Sequence, residues 1–294
     1  MPASARPWDR PGSRETLRMV RPDWRPLPTA AALTRTGPRG LAQFAEAAEA
    51  AQAAQAAHFA HFAEAANGTL AVQAAQAARI ARAAPHVPRV TLAPVDPRLV
   101  LLTEPRSARA DAFRILRDNL LDKGLPRVIA VSSVARRDGN TTCAVNLALA
   151  LAENQRQRVL LLEGNPFAPS LATIFEVDEQ APSLTVALPG VARYGLVELT
   201  PRLHVAVPRP DQSALRFDKH AFMALLAHLC SFGYDHVVVD APAIEVSPNV
   251  SRLFTAVDAV LLSLRSGRTT TRALRRAVEA IPLGKALGVA LIDG

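Results

Sequence analysis

Residues 128–152, VIAVSSVARRDGNTTCAVNLALALA, constrain the fold of this chain more than any other stretch. Val128 to Ser132 is a β-branched, apolar run with the length of a buried parallel strand. Ser133 to Gly139 is polar. From Thr141 onward, Val145, Leu147, Leu149 and Leu151 stand in an Ala-rich segment that reads as a helix. A strand, a polar loop and Gly-x-Thr-Thr at a helix start form the layout of a phosphate cradle, where backbone N–H groups and the helix N-terminus face an anion. Set against G-x-x-x-x-G-K-[ST], Val134 takes the place of the first Gly, Gly139 the second, Asn140 the Lys and Thr141 the hydroxyl. Val134 lacks the freedom of glycine to adopt positive φ. Asn140 has a neutral amide on a shorter stem, so it can donate a hydrogen bond but cannot neutralise charge. Losing one preorganised donor to a transition state typically costs ~10²–10³ in rate. The stretch therefore predicts a phosphate-loop fold with impaired chemistry.

The remainder of the C-terminal region alternates strands with helices. Strands are expected at Arg158–Leu162, Leu203–Val207, His236–Val239, Val257–Leu264 and Leu287–Ile292, and helices at His220–Phe232 and Thr270–Ala280. That alternation implies an α/β fold, a parallel sheet with helices on both faces. Asp240 closes the strand before it, and acidic residues also follow RVLLL, where ligands bind in open α/β sheets. A further helix is expected from Ser107 to Lys123, with Ser107 as N-cap and Phe113, Leu116, Leu120 and Leu121 as its apolar stripe. Asp111, Arg114 and Arg117 line a neighbouring face of it.

The N-terminal third differs in composition. Residues 1–40 hold eight arginines against three acids, and prolines at 2, 7, 11, 22, 26, 28 and 38. This predicts a disordered basic arm, able to touch an acidic membrane or to act as a solubilising tail. Residues 41–84 are rich in Ala, Glu and Gln and predict an Ala-rich helical hairpin or spacer, broken at Asn67-Gly68. Residues 85–106, with four prolines by residue 97, read as a linker before the folded domain at 107–294. No apolar run reaches the ~18–20 residues of a membrane span and no apolar signal core opens the chain, so the expected location is cytoplasmic or peripheral at the inner membrane. Cys143 and Cys230 have no partners at ligand spacing and are read as small buried residues.

Together these motifs resemble the cytoplasmic P-loop domain of bacterial tyrosine kinases, the autokinases of capsule and exopolysaccharide assembly, within the MinD/ParA-like group of ATPases. The loop SSVARRDGNTTCAVNLALALA is similar to the TSAxPGEGKTTxAxNLAxxxA of the family, VLLLEGNPFAPSL to VLLIDADLRRPSL, YDHVVVDAPAI to YDxVIIDxPP, and VDAVLLSLRSGRTT to ADxVLLVVRxGxT. The resemblance implies ATP/ADP and Mg²⁺ as cofactors. It puts Arg136, Arg137, Asp138, Gly139, Asn140, Thr141 and Thr142 at the nucleotide. It puts Thr141 and Asp240 at the metal, and Glu163, Asn165 and Asp240 at the catalytic carboxylate positions. Asp111, Arg114 and Arg117 fill the Glu-x-x-Arg-x-x-Arg motif that contributes to self-association in the family.

Departures from the family cluster in the chemistry. Asn140 replaces Lys, Glu163 and Asn165 replace two Asp, and Arg136-Arg137 replace Pro-Gly. The tyrosine-rich tail of the family has no counterpart, leaving Tyr194 and Tyr234. The expectation is a degenerate, kinase-like component that binds a membrane chain-length (co-polymerase) protein, an active kinase paralogue or itself. The alternatives are an active autokinase in which Arg136 or Arg137 replaces the ammonium, and a ParA/MinD-like positioning ATPase whose basic arm binds DNA or membrane.

Overall fold

A computed structural model describes residues 17–20 and, apart from short gaps at 91–95, 123, 125, 154–156, 166–167, 178–182, 187–192, 210–218 and 248–249, residues 87–292. The chain divides into two units, 1–20 with 84–294 and 21–83, and all described residues lie in the first. The Ala-rich segment 41–84 and nearly all of the basic arm, including Trp8 and Trp24, therefore lie outside the described residues.

Nine strands form one sheet: β1 (Leu17–Val20), β2 (Val128–Ser133), β3 (Val159–Glu163), β4 (Leu184–Val186), β5 (Tyr194–Thr200), β6 (Leu203–Pro208), β7 (His236–Asp240), β8 (Ala259–Arg265) and β9 (Ala286–Ile292). Their spatial order is β1-β9-β8-β2-β7-β3-β6-β5-β4. The six from β9 to β6 are parallel, while β1, β5 and β4 pair antiparallel at the two margins. The helices are α1 (Val100–Thr103), α2 (Ala108–Leu121), α3 (Asn140–Glu153), α4 (Leu171–Ile174), α5 (Lys219–Cys230), α6 (Val250–Ala256) and α7 (Thr271–Glu279).

The period-2 rule divides each central strand between two cores. Ile129, Val131, Val159, Leu161, Val238 and Leu261 face α2, α3 and α4, where they meet Phe113, Leu116, Val145, Leu149 and Ile174. Val128, Ala130, Leu160, Leu162, Val239 and Val260 face the other way, onto Phe222, Leu225, Leu253, Phe254 and Ala277 of α5, α6 and α7. Because both faces are covered, the strand sequences are continuous apolar runs. Ser107 caps α2 as expected, its Oγ accepting from the Ala110 N–H at 3.1 Å.

Several elements differ from the sequence expectation. The arm contributes β1, with Leu17 opposite Ile292 and Val20 opposite Val289. Inside the stretch read as a linker, α1 forms, and the Val90 N–H donates to Glu198 O at 2.9 Å. The sheet is also not wholly parallel, because Pro201-Arg202 turns β5 straight back into β6 and the two pair side by side. Helix α6 has seven residues, too few for its period to stand out.

Asn146 ties the start of the domain to the helix after the phosphate loop. Fully buried on α3, it accepts the Leu101 N–H at 3.1 Å and donates to Arg98 O at 2.6 Å and Thr142 O at 2.8 Å. Asn146→Ala strands the Leu101 N–H and the Arg98 carbonyl, so we expect a loss of about 2 kcal/mol, read as a lower urea midpoint at unchanged slope.

Candidate functional site

Parallel pairing places the site. The register sets Glu163 opposite Asp240, at the C-terminal ends of β3 and β7, and sets Val131 of β2 on the other side of Asp240. The loop leaving β2 returns over these ends and starts α3. Thr141 and Asp240, assigned to one metal, do come together, with Thr141 Oγ1 donating to Asp240 Oδ2 at 2.8 Å.

Asn140 departs from its expected role. Instead of facing a phosphate, its Nδ2 donates to Asp240 Oδ1 at 3.0 Å and to the Ala241 carbonyl at 2.8 Å. The Ser133 hydroxyl donates to Ala135 O at 2.9 Å and lies 3.3 Å from Asn140 Oδ1. A short amide reaches down into the sheet where a long ammonium could extend outward. Asp240 thus has both oxygens engaged by neutral donors.

Glu163 is likewise committed elsewhere. Its Oε2 accepts the Ser170 and Leu171 N–H groups at 2.7 and 3.0 Å, capping α4, and its Oε1 accepts the Asn165 N–H at 3.1 Å. The longer side chain of Glu163 thus reaches the orphan N–H groups at the start of the next helix. Asn165 supplies a backbone donor, and its Oδ1 is buried without a partner. Burial pushes the Glu163 carboxyl up to about 7, against the three backbone donors. Asp240 is raised well above the usual carboxylate range by burial and by the Glu163 charge, which outweigh the bonds from Thr141 and Asn140.

The loop divides its side chains. Arg136 and Arg137 are exposed, whereas Asp138 is buried, with Oδ2 accepting from Ala135 N–H at 3.2 Å and Thr269 Oγ1 at 2.9 Å and Oδ1 without a partner. Asp138 therefore ties the loop to the turn after β8, a role different from the nucleotide contact expected of it. Gly139 has φ +87°, and a Cβ there would collide with the Ile292 side chain. Arg137 has φ +67°, the left-handed region, at the position that is Gly in the kinase pattern. Thr142 contributes its carbonyl to Asn146.

Asp111, Arg114 and Arg117 lie on α2, away from this cluster in sequence and bound within the chain. Arg114 makes a fork to Glu153 at 2.8 and 2.9 Å and pairs with Asp111 at 2.9 Å, while Arg117 donates to Ala150 O at 3.0 Å and pairs with Asp118. These bonds dock α2 on the end of α3. Both tyrosines are buried: Tyr194 donates to Glu163 O at 3.0 Å, and the Tyr234 hydroxyl lies 2.6 Å from His204 Nδ1.

Sequence reasoning missed Arg98, Ser133, Asn146, Thr269 and Ile292. Asn146 left a signal, a lone amide in an otherwise apolar run. Arg98, paired to Asp96 at 2.6 Å, is a cation acting on Asp240 from a segment read as linker. A cavity of about 540 Å³ lined by Lys219, Arg252, Thr255, Glu279 and Pro282 shares none of these residues.

A magnesium–nucleotide complex, which the P-loop fold implies, fits this arrangement poorly. The loop has no ammonium, both Asp240 oxygens are occupied, and Glu163 is spent on a helix end. Among the described residues no group of three His, Cys, Asp or Glu could hold a metal ion, and no helix is long and apolar enough to cross a membrane.

No family model matches the chain. Over 191 residues it is 26% identical to the tyrosine-protein kinase YwqD of Bacillus subtilis (strain 168), covering 62% of this chain and 79% of that protein. Over 216 residues it is 26% identical to the succinoglycan biosynthesis transport protein ExoP of Rhizobium meliloti (strain 1021), covering 65% of this chain and 26% of ExoP. Among solved structures, the chimerical protein CapA2B2 shares the fold with a TM-score of 0.56 at 20% identity, covering 70% of this chain and 94% of that one. The chain is thus similar in sequence to bacterial tyrosine-protein kinases and shares its α/β fold with CapA2B2.

Two outcomes follow from the geometry. Arg137→Gly relieves a left-handed residue and should stabilise the protein by about 1 kcal/mol in urea denaturation, in line with the cost of that conformation for an L side chain. The Glu163 carboxyl titrates near 7 when folded and at 4.5 in its ordinary state. The folded chain therefore holds the extra proton between these values, and this contribution to stability is present below the lower one and lost as pH rises through 7. Burial of His204, titrating near 4, acts with the opposite sign. The difference in stability between the native protein and Glu163→Gln should fall with rising pH across this window, by up to about 1.4 kcal/mol per unit; a flat difference would refute the assignment.

Proposed function

We propose that this chain is a kinase-like component of an exopolysaccharide or capsule assembly system that acts by binding rather than by phosphoryl transfer. The observation that carries the reading is Asn140, whose amide is bonded to Asp240 and the Ala241 carbonyl where the kinases place a phosphate-binding Lys. Phosphoryl transfer depends on positioned charge, so a site without its ammonium, with an acid held toward its neutral form, has little to offer the transferring group. The burial of Tyr194 and Tyr234 agrees, since neither hydroxyl is presented for modification. Likeness to ExoP and YwqD supports the pathway class. The partner in this reading is a membrane chain-length protein, an active kinase paralogue or a second copy. The retained apolar framework keeps a kinase-shaped surface for it.

A second reading, an active autokinase, is favoured by one observation: Arg136 and Arg137 stand exposed on the loop, where a guanidinium can hold phosphate bidentately. Calorimetry with ATP, with and without Mg²⁺, separates the two. The native protein should give no binding heat, and Asn140→Lys should bind in the micromolar range. Micromolar binding by the native protein, abolished by Arg136→Ala/Arg137→Ala, together with phosphate transfer to tyrosine, would establish the second reading and sink the first.

A further inference from the structure

The ends of β2 and β8 lie side by side, with Ser133 opposite Ser263, so the loops that follow them share one edge of the sheet. The Asp138–Thr269 bond of 2.9 Å holds these loops together. That contact joins the loop carrying Arg136 and Arg137, next to Asp138, to the turn carrying Arg268, with Arg272 three residues beyond Thr269. Arg275 and Arg276 extend the group along α7. All six are exposed, and none has an acidic partner among the described residues. Among the described residues the acids nearest in the chain and fold are few. Asp138 is buried under the loop, Glu279 ends α7, and Glu245 is exposed where its N–H donates to Val134 O at 3.1 Å.

The structure assigns this rim as a docking surface for an anionic lipid membrane. The assignment does not depend on whether the phosphate loop binds nucleotide. Its warrant is charge complementarity: a rim on which exposed arginines outnumber the acids attracts a polyanionic surface, and each arginine near such a surface adds to the attraction. The shape of the face selects lipid over nucleic acid. Helix α7 buries Ala277 and half-buries Ala273, Leu274 and Val278, so it presents its side and cannot enter a groove as a free recognition helix. The exposed large apolar side chains among the described residues are Ile115 and Leu283, neither aromatic, so there is no platform for stacking the bases of a single strand. Arginines on the side of a helix and on an adjoining loop match a plane of headgroup phosphates.

Co-sedimentation of the full chain with phosphatidylcholine vesicles, with and without phosphatidylglycerol, tests the assignment. We expect binding only to the anionic vesicles, weakened steeply by salt. The quadruple variant Arg268→Ala, Arg272→Ala, Arg275→Ala, Arg276→Ala, which leaves the basic arm intact, should bind at least about 10²-fold more weakly. The corresponding four Arg→Lys substitutions, which keep the charge, should retain binding within about tenfold. Failure of the native protein to bind anionic vesicles would overturn the proposal. So would undiminished binding by the alanine variant, which would assign the affinity to the arm, or capture of duplex DNA at salt where vesicles are not held.

Discussion

The buried pair Glu163 and Asp240 is the constraint on which the rest of the site depends. Parallel register forces the two acids to the ends of adjacent strands, and the packing there removes them from water. Two carboxyls in such a place need a cation, bound donors or a proton. This chain has Asn at 140, and it answers with donors, a proton and the more distant charge of Arg98. Asn140 and Thr141 take the two oxygens of Asp240, three backbone N–H groups take Glu163, and both groups remain shifted toward their neutral forms. In the kinase pattern the same fold places an ammonium and two aspartates at these positions. The difference from that pattern is one of charge at 140 and 165, where neutral amides stand.

Around this pair, the phosphate loop is held from three sides. Gly139 packs under Ile292 at the end of β9, Asp138 bonds to Thr269 beyond β8, and the helix that follows is tied through Asn146 to the segment carrying Arg98. A loop held this way is a fixed surface feature, suited to presenting Arg136 and Arg137 at a constant position. The α2 arginines serve a comparable structural purpose, bonding to Glu153 and Ala150 at the end of α3. Asp138, Arg114 and Arg117, which the sequence pattern set at a ligand or self-association site, are all used in such ties.

Most of the framework was legible in the sequence. Buried parallel strands must be apolar on both faces, so RVLLL, HVVVD and VDAVLLSL announce themselves as continuous runs, and the strand–loop–helix of 128–152 fixes the phosphate-loop topology. The N-cap at Ser107 was legible for the same reason, because capping is a local contact. Elements without a strong local signature were not. Strand β1 is four residues in a proline- and arginine-rich arm, and it exists only because β9 has an edge to pair. Strands β4 and β5 depend on the turn at Pro201-Arg202 and on the margin of β6, and α6 is too short for a period.

By itself the sequence determined the fold class, the place of the site at the strand ends, and the loss of a charge at position 140. These are set by local pattern and residue chemistry. Only the tertiary structure decided where the freed groups went. The reach of Asn140 to Asp240, the capture of Glu163 by the N–H groups of α4, the burial of Asp138 and both tyrosines, and the gathering of arginines from two distant loops are contacts between segments far apart in the chain. Their partners are chosen by strand register and sheet order, which no local pattern encodes.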